Sequence, residues 1–121
     1  MSWEFDRDRP IYAQLVEQLQ RAIVSGAYAP GAKIPSVREL AAEAGVNPNT
    51  MQKALTELEQ LGLLNTQRTN GRYVTEDTAL ITATRRQLAW DKVIAFLREM
   101  EALGFTNEAC IQLMEESRNH G

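Results

Sequence analysis

Apolar positions follow a helical spacing through most of the chain. From Ile11 they fall at Ile11, Leu15, Leu19, Ala22 and Ile23, one face of a helix that Gly26 ends. "GAYAPGAKIPS", residues 26–36, places two glycines and two prolines around a single Ile34, which permits a turn and one very short strand but no further helix. Ser36 is a cap residue for a second helix with Val37, Leu40, Ala41 and Ala44 on its inner face, stopped by Gly45. Asn47 caps a third, with Pro48 at its first position and Met51, Ala54, Leu55, Leu58 and Leu61 inward as far as Gly62. The spacing then changes: Leu63 to Gln67 and Arg72 to Thr75 read as strands joined at Thr69, Asn70 and Gly71, since Asn-Gly favours a tight hairpin turn. Beyond Glu76 a long helix is expected from Asp77 to Leu103, turning Leu88, Ala89, Val93, Phe96, Leu97, Met100 and Leu103 inward. Gly104 ends it, and Thr106 caps a last helix with Ala109, Cys110, Leu113 and Met114 on its apolar side. At the other end Trp3 and Phe5 alternate with charges, so the first residues are expected to pack as an extended arm.

Helix, short strand, helix, tight turn, helix and hairpin, in that order, describe a winged helix-turn-helix. The third helix has an unusual polarity: Asn49, Thr50, Gln52 and Lys53 crowd its first turns while its later turns are apolar. In helix-turn-helix proteins the beginning of the second helix of the motif meets base edges in the major groove, which accounts for that gradient. The expected fold class is therefore mostly α. Residues 1–75 form the winged domain with its small β-hairpin, and 76–121 a short two-helix dimerisation region.

Charge refines this picture. The net charge of −3 does not announce a polyanion partner, but residues 1–75 carry eight basic and eight acidic side chains, while 76–121 carry five and eight. The whole deficit lies in the C-terminal third, leaving the winged region neutral. A domain this small buries only ~65% of its unfolded surface, which favours self-association to cover the remaining apolar area. The single Cys110 cannot pair within the chain and, at helical spacing with Leu113 and Met114, reads as a buried thiol suited to a reducing cytoplasm. No apolar run long enough for a membrane span and no N-terminal leader pattern occurs. No enzyme, cofactor or metal is expected: His120 is the one histidine, the carboxylates are scattered, and no phosphate-binding glycine loop is present.

From Pro10 to Val74 the chain resembles the N-terminal domain of GntR-family bacterial transcription regulators. The combination of "PIYAQ", "GAYAPGAKIPSVREL", "GVNPNTMQKALTELEQLGL" and "NGRYV" carries the likeness. The 47 residues after Val74 are similar in length to the C-terminal part of the YtrA-type subfamily, two helices used for dimerisation. The resemblance implies that Arg38 reaches a guanine, for which a bidentate contact supplies ~1–3 kcal/mol of discrimination. It implies a phosphate contact at Ser36 and the start of its helix, base or phosphate contacts at Asn49 and Thr50, and a wing of Arg68, Thr69, Asn70 and Gly71 near the minor groove. Gln52 and Lys53, one turn on, are suited to the DNA backbone. Two positions depart from the pattern: Pro48, at the recognition tip, stands where many relatives have arginine, and Thr69 where they have a second glycine.

The expected partner is a two-fold operator in double-stranded DNA, bound by a homodimer whose recognition tips lie about one helical turn, ~34 Å, apart. Leu88, Trp90, Val93, Phe96, Leu97 and Met100 are the candidate dimer residues; Trp90 suits either that interface or a seam with the winged domain. The protein is read as a repressor, and the family likeness further implies control of a nearby transporter operon and of its own gene. A small-molecule effector is possible, and no residue pattern specifies its chemistry. The rival reading is a winged helix that binds protein rather than DNA; it calls for an apolar third helix, which the polar tip opposes. Lys33 is left between a solvated lysine and a phosphate contact, Arg85 and Arg86 between a DNA-steering and a solvated role, and Tyr12 and Tyr28 are read as packing residues.

Overall fold

Three helices of the N-terminal unit begin or end on the capping signals that the sequence carries. Helix α1 (Ile11–Val24) runs from Pro10 to a C-cap at Ser25. Helix α2 (Val37–Ala44) starts at Ser36, whose side chain accepts a hydrogen bond from the Glu39 N–H while Glu39 accepts one from the Ser36 N–H. This reciprocal pair satisfies two N–H groups that the helix itself leaves open. Gly45 follows at φ 70°, the left-handed conformation that closes α2 and turns the chain toward α3 in three residues. Helix α3 (Pro48–Gln60) begins at Asn47, whose Oδ1 accepts from the Asn49 N–H at 2.7 Å.

The wing is an antiparallel pair, β1 (Leu64–Gln67) and β2 (Gly71–Val74), in the register Leu64↔Val74, Asn65↔Tyr73, Thr66↔Arg72 and Gln67↔Gly71. The computed structural model describes residues 1–67 and 70–120, so the expected wing residues Arg68 and Thr69 lie outside the described residues. The short strand expected around Ile34 is reduced to one bridge, Lys33↔Tyr73, with the Ile34 N–H donating to the Arg72 carbonyl at 3.1 Å. Pro35 follows at once and has no N–H with which to extend the ladder.

The core lies where α1 and α2 pack on α3 and β1 continues from it. Leu15, Leu40, Met51, Ala54, Leu55 and Leu58 are fully buried, joined by Leu19, Ile23, Ile34, Leu63, Leu64 and Val74. Full burial of a Leu or Met side chain contributes roughly 1.5–3 kcal/mol, so this cluster dominates the stability of the unit. Two inward expectations are corrected: Ile11, the first residue of α1, is 36% exposed and Leu61, the C-cap of α3, is 42% exposed.

The extended arm packs as expected. Trp3 and Phe5 stack with ring centroids 6.2 Å apart. Two glutamines one turn apart on α1 hold the arm's backbone: Gln18 exchanges bonds with Glu4 N–H and C=O, and Gln14 with Asp6 N–H and C=O. Gln14 also donates to the Arg9 carbonyl and is itself buried, so a polar side chain in the interior is satisfied by main chain.

The chain divides into two compact units, Met1–Arg85 and Arg86–Gly121, with the boundary inside helix α4 (Thr78–Ala102). Helix α5 (Asn107–Arg118) follows, capped by Thr106 Oγ1, which accepts from the Ala109 N–H. The inward stripe expected on α4 is overturned for the single chain. Val93 is 49%, Phe96 38% and Leu103 73% exposed, Ala89 is exposed, and Leu88, Leu97 and Met100 are half-buried. Ile81 is the one fully buried residue of α4. On α5 Cys110 is buried as expected, whereas Leu113 and Met114 are 37% and 49% exposed. A 25-residue helix accompanied by a 12-residue one has too little partner surface to cover two apolar stripes.

Candidate nucleic-acid interface

The first turns of α3 present two opposite characters. Met51, Ala54, Leu55 and Leu58 have no exposed surface, which fixes the rotation of the helix against α1 and α2. On the other side Pro48, Asn49, Gln52 and Lys53 are exposed and Thr50 is half-buried. Asn47 is occupied by its cap bond, whereas the Asn49 side chain has no hydrogen-bond partner among the described residues. Gln52 reaches Thr56 Oγ1 at 3.5 Å, a long contact that leaves its amide able to exchange partners.

Lys53 is held more firmly than its exposure suggests. Its Nζ lies 5.0 Å from the centroid of the Tyr12 ring, and the Tyr12 hydroxyl donates to Glu57 Oε2 at 3.3 Å. Desolvation, then the Glu57 charge and hydrogen bond, raise the Tyr12 pKa, so the hydroxyl stays protonated as a donor. Tyr12 is half-buried, in keeping with its packing role, and it also offers a ring face to a cation. Tyr28 is half-buried as well, its hydroxyl pKa raised by burial and by Glu43.

Beside α3, the start of α2 and the root of the wing enclose an open cleft of about 490 Å³, bordered by Lys33, Ser36, Arg38, Asn70, Gly71 and Arg72, with Ile34, Pro35 and Val37 supplying apolar wall. Arg38 and Lys33 are exposed, and neither has an ion-pair partner among the described residues. The other charged groups of the cleft are already engaged. Glu39 is bound to the Ser36 N–H, and the Arg72 guanidinium donates to Glu59 on α3. Burial pushes the Glu59 carboxyl up, but hydrogen bonds from Thr66 and Arg72 and the charge of Arg72 outweigh it and hold the pKa below the ordinary value. Outside the Arg72–Glu59 pair the cleft holds two cations, Lys33 and Arg38, against the one carboxylate Glu39, so its balance is positive.

The structure thus brings Ser36, Arg38, Asn70 and Gly71 to one cleft, and places Pro48, Asn49, Thr50, Gln52 and Lys53 on one exposed end of α3. Of the candidate dimer residues, Trp90 is 58% exposed, Val93 and Phe96 are exposed, and Leu88, Leu97 and Met100 are half-buried. Arg85 lies 3.5 Å from the Val24 carbonyl at the end of α1. Sequence reasoning missed the Arg72–Glu59 pair and left Lys33 without a place. The Gln14 and Gln18 spacing of four was a signal available for the arm, since it puts two amides on one side of α1. Among the described residues no group of three or more His, Cys, Asp or Glu is placed to hold a metal ion, and no helix is long and apolar enough to cross a membrane.

Residues 11–74 match the family model described as "Bacterial regulatory proteins, gntR family". The chain is 34% identical over 112 residues to the uncharacterized HTH-type transcriptional regulator YhcF of Bacillus subtilis, covering 93% of both proteins. It is 46% identical over 68 residues to the HTH-type transcriptional repressor YtrA of the same organism, a match that spans 56% of this chain and 52% of YtrA. Among solved structures, a GntR family transcriptional regulator from Listeria monocytogenes superposes with a TM-score of 0.87 at 39% identity, covering 93% of this chain and 98% of that one. The AraR DNA-binding domain in complex with operator ORX1 superposes with a TM-score of 0.54 at 32% identity, covering 62% of this chain and 92% of that one.

Proposed function

This chain belongs to the gntR family of bacterial regulatory proteins and is similar over part of its length to YtrA, and from that premise we propose how it works as a regulator. It is a DNA-binding transcriptional regulator of the helix-turn-helix type. In the proposed reading it is a cytoplasmic homodimer that represses transcription by binding a two-fold operator, with a transporter operon as its target.

One observation carries the DNA-facing part: the start of α3 is polar and uncovered along the helix whose opposite side has no exposed surface at all. A helix anchored so completely on one side can press its other side into a major groove without losing its own packing. Asn49 and Thr50 then meet base edges, Gln52 and Lys53 hold the backbone, and Pro48 brings the helix start close to the DNA. Arg38 reads a guanine from the cleft, while Ser36 and the open N–H groups of α2 take a phosphate. The wing, Arg68, Thr69, Asn70 and Gly71, follows the minor groove or its flanking phosphates.

The dimer reading rests on the apolar surface of the second unit. Trp90, Val93, Phe96, Leu103, Ile111 and Met114 are all more than a third exposed, an arrangement that a second copy would cover. The test is footprinting on the genomic neighbourhood of the gene, followed by titration of the protected duplex across a salt series. A protected inverted repeat whose affinity falls steeply with salt is the expected result; an absence of protection, or salt-independent binding, would overturn the reading.

A further inference from the structure

We propose that Lys33 is a phosphate-binding residue of the DNA interface, stationed by the wing in the cleft between α2 and β2; this rests on the DNA-binding reading above. Lys33 is one residue before the buried Ile34, and its backbone is pinned to the wing by the bridge to Tyr73 and by the Ile34 N–H to Arg72 carbonyl bond. Its position is thus set by tertiary hydrogen bonds on a stretch that forms no helix or strand of its own. The stem of the side chain runs across Gly71: a Cβ added there would come within 3.3 Å of Lys33 Cε. Gly71 is at φ +92°, a conformation already unfavourable for any other residue, so the wing keeps glycine at the very point where the lysine stem passes.

The cleft that receives this side chain suits a strand of phosphodiester backbone. It is open, and the Lys33 ammonium has no ion-pair partner in it among the described residues. The carboxylate of the cleft, Glu39, is held at the helix start by the Ser36 N–H and forms no ion pair among the described residues, and its other cation at the wing, Arg72, is paired with Glu59. Lys33 and Arg38 are left as the cations of the cleft without an ion-pair partner among the described residues. They differ in chemistry. The guanidinium is a planar fork suited to a base edge, and the ammonium is a compact point charge suited to a phosphate oxygen. The geometry therefore divides the labour, with Arg38 reading sequence and Lys33 gripping backbone beside the wing.

Lys33→Met keeps the stem over Gly71 and removes the charge; Lys33→Arg keeps the charge. Fluorescence anisotropy with a labelled duplex from the region upstream of the gene, and with a mixed-sequence duplex, measures affinity from low to high salt. A residue that neutralises one phosphate contributes ~0.9 to the slope of log affinity against log salt. Lys33→Met is expected to lower the slope by about twice that amount, one phosphate for each protomer of the proposed dimer, and weaken both duplexes by the same factor, while Lys33→Arg retains the slope. Lys92→Met, the same change on the exposed face of α4, is expected to leave it unaltered. A full slope in Lys33→Met, beside a wild-type protein that binds with the usual salt dependence, overturns this inference and leaves the DNA reading standing. A wild-type protein without salt-dependent binding overturns both.

Discussion

Arg72 on β2 and Glu59 in the last turn of α3 are joined by a hydrogen-bonded ion pair, Nε to Oε1, that latches the wing to α3. Both side chains are largely shielded, 16% and 28% exposed, so the pair is screened less than a surface bridge. Because the Glu59 pKa is depressed in the fold, its contribution to stability is complete above the ordinary carboxylate range and is lost as pH falls through the depressed native value. Glu59→Gln is expected to cost about 1 kcal/mol at neutral pH and to flatten the acid limb of a thermal-melting series against pH. An unchanged acid limb would show that the latch contributes nothing.

Arg38 stands exposed on α2, in the cleft and away from the core. Arg38→Ala is therefore expected to leave the melting temperature within experimental error while removing ~1–3 kcal/mol per half-site of preference for the protected duplex over a mixed-sequence one. Circular dichroism and competition binding measure the two effects separately. Loss of the fold would assign the residue a structural role instead.

Gln14 is 2% exposed, and its amide meets the Asp6 N–H and C=O and the Arg9 carbonyl. Gln14→Leu fills similar space but leaves those main-chain groups without partners, at a cost of roughly 1–3 kcal/mol. Hydrogen exchange at the Asp6 amide is the direct readout and is expected to accelerate markedly. Protection equal to wild type would mean that the stacked Trp3 and Phe5 rings hold the arm unaided.

Phe96 and Trp90 belong to the apolar surface that a second copy is proposed to cover. Phe96→Glu is expected to convert dimers to monomers in sedimentation equilibrium while the melting transition of residues 1–85 stays intact, since Phe96 lies outside that unit. Operator affinity should fall with it, because the two recognition tips would no longer be tethered. A wild-type chain that sediments as a monomer at micromolar concentration would remove the basis of the prediction.

What the sequence by itself determined is whatever depends on residues within a few positions of one another. Ser36 with Glu39, Asn47 with Pro48, Gly45, Asn70 with Gly71 and Thr106 mark ends and turns, because caps and tight turns are made by neighbouring main-chain groups. The 3.6-residue spacing of Leu15 and Leu19, or of Met51, Leu55 and Leu58, located the buried faces for the same reason.

Tertiary structure alone decided which distant groups met. Arg72 could have paired with any of several carboxylates, Gln14 and Gln18 could have faced solvent, and Lys33 had no assigned place until Tyr73 and Gly71 came beside it. An apolar spacing likewise shows that a face seeks cover, without saying which surface supplies it. Val93 and Phe96 on α4 follow the same rule as Leu55 on α3, yet remain exposed in the single chain. Burial is a property of two surfaces brought together, and periodicity along one helix describes only the first of them.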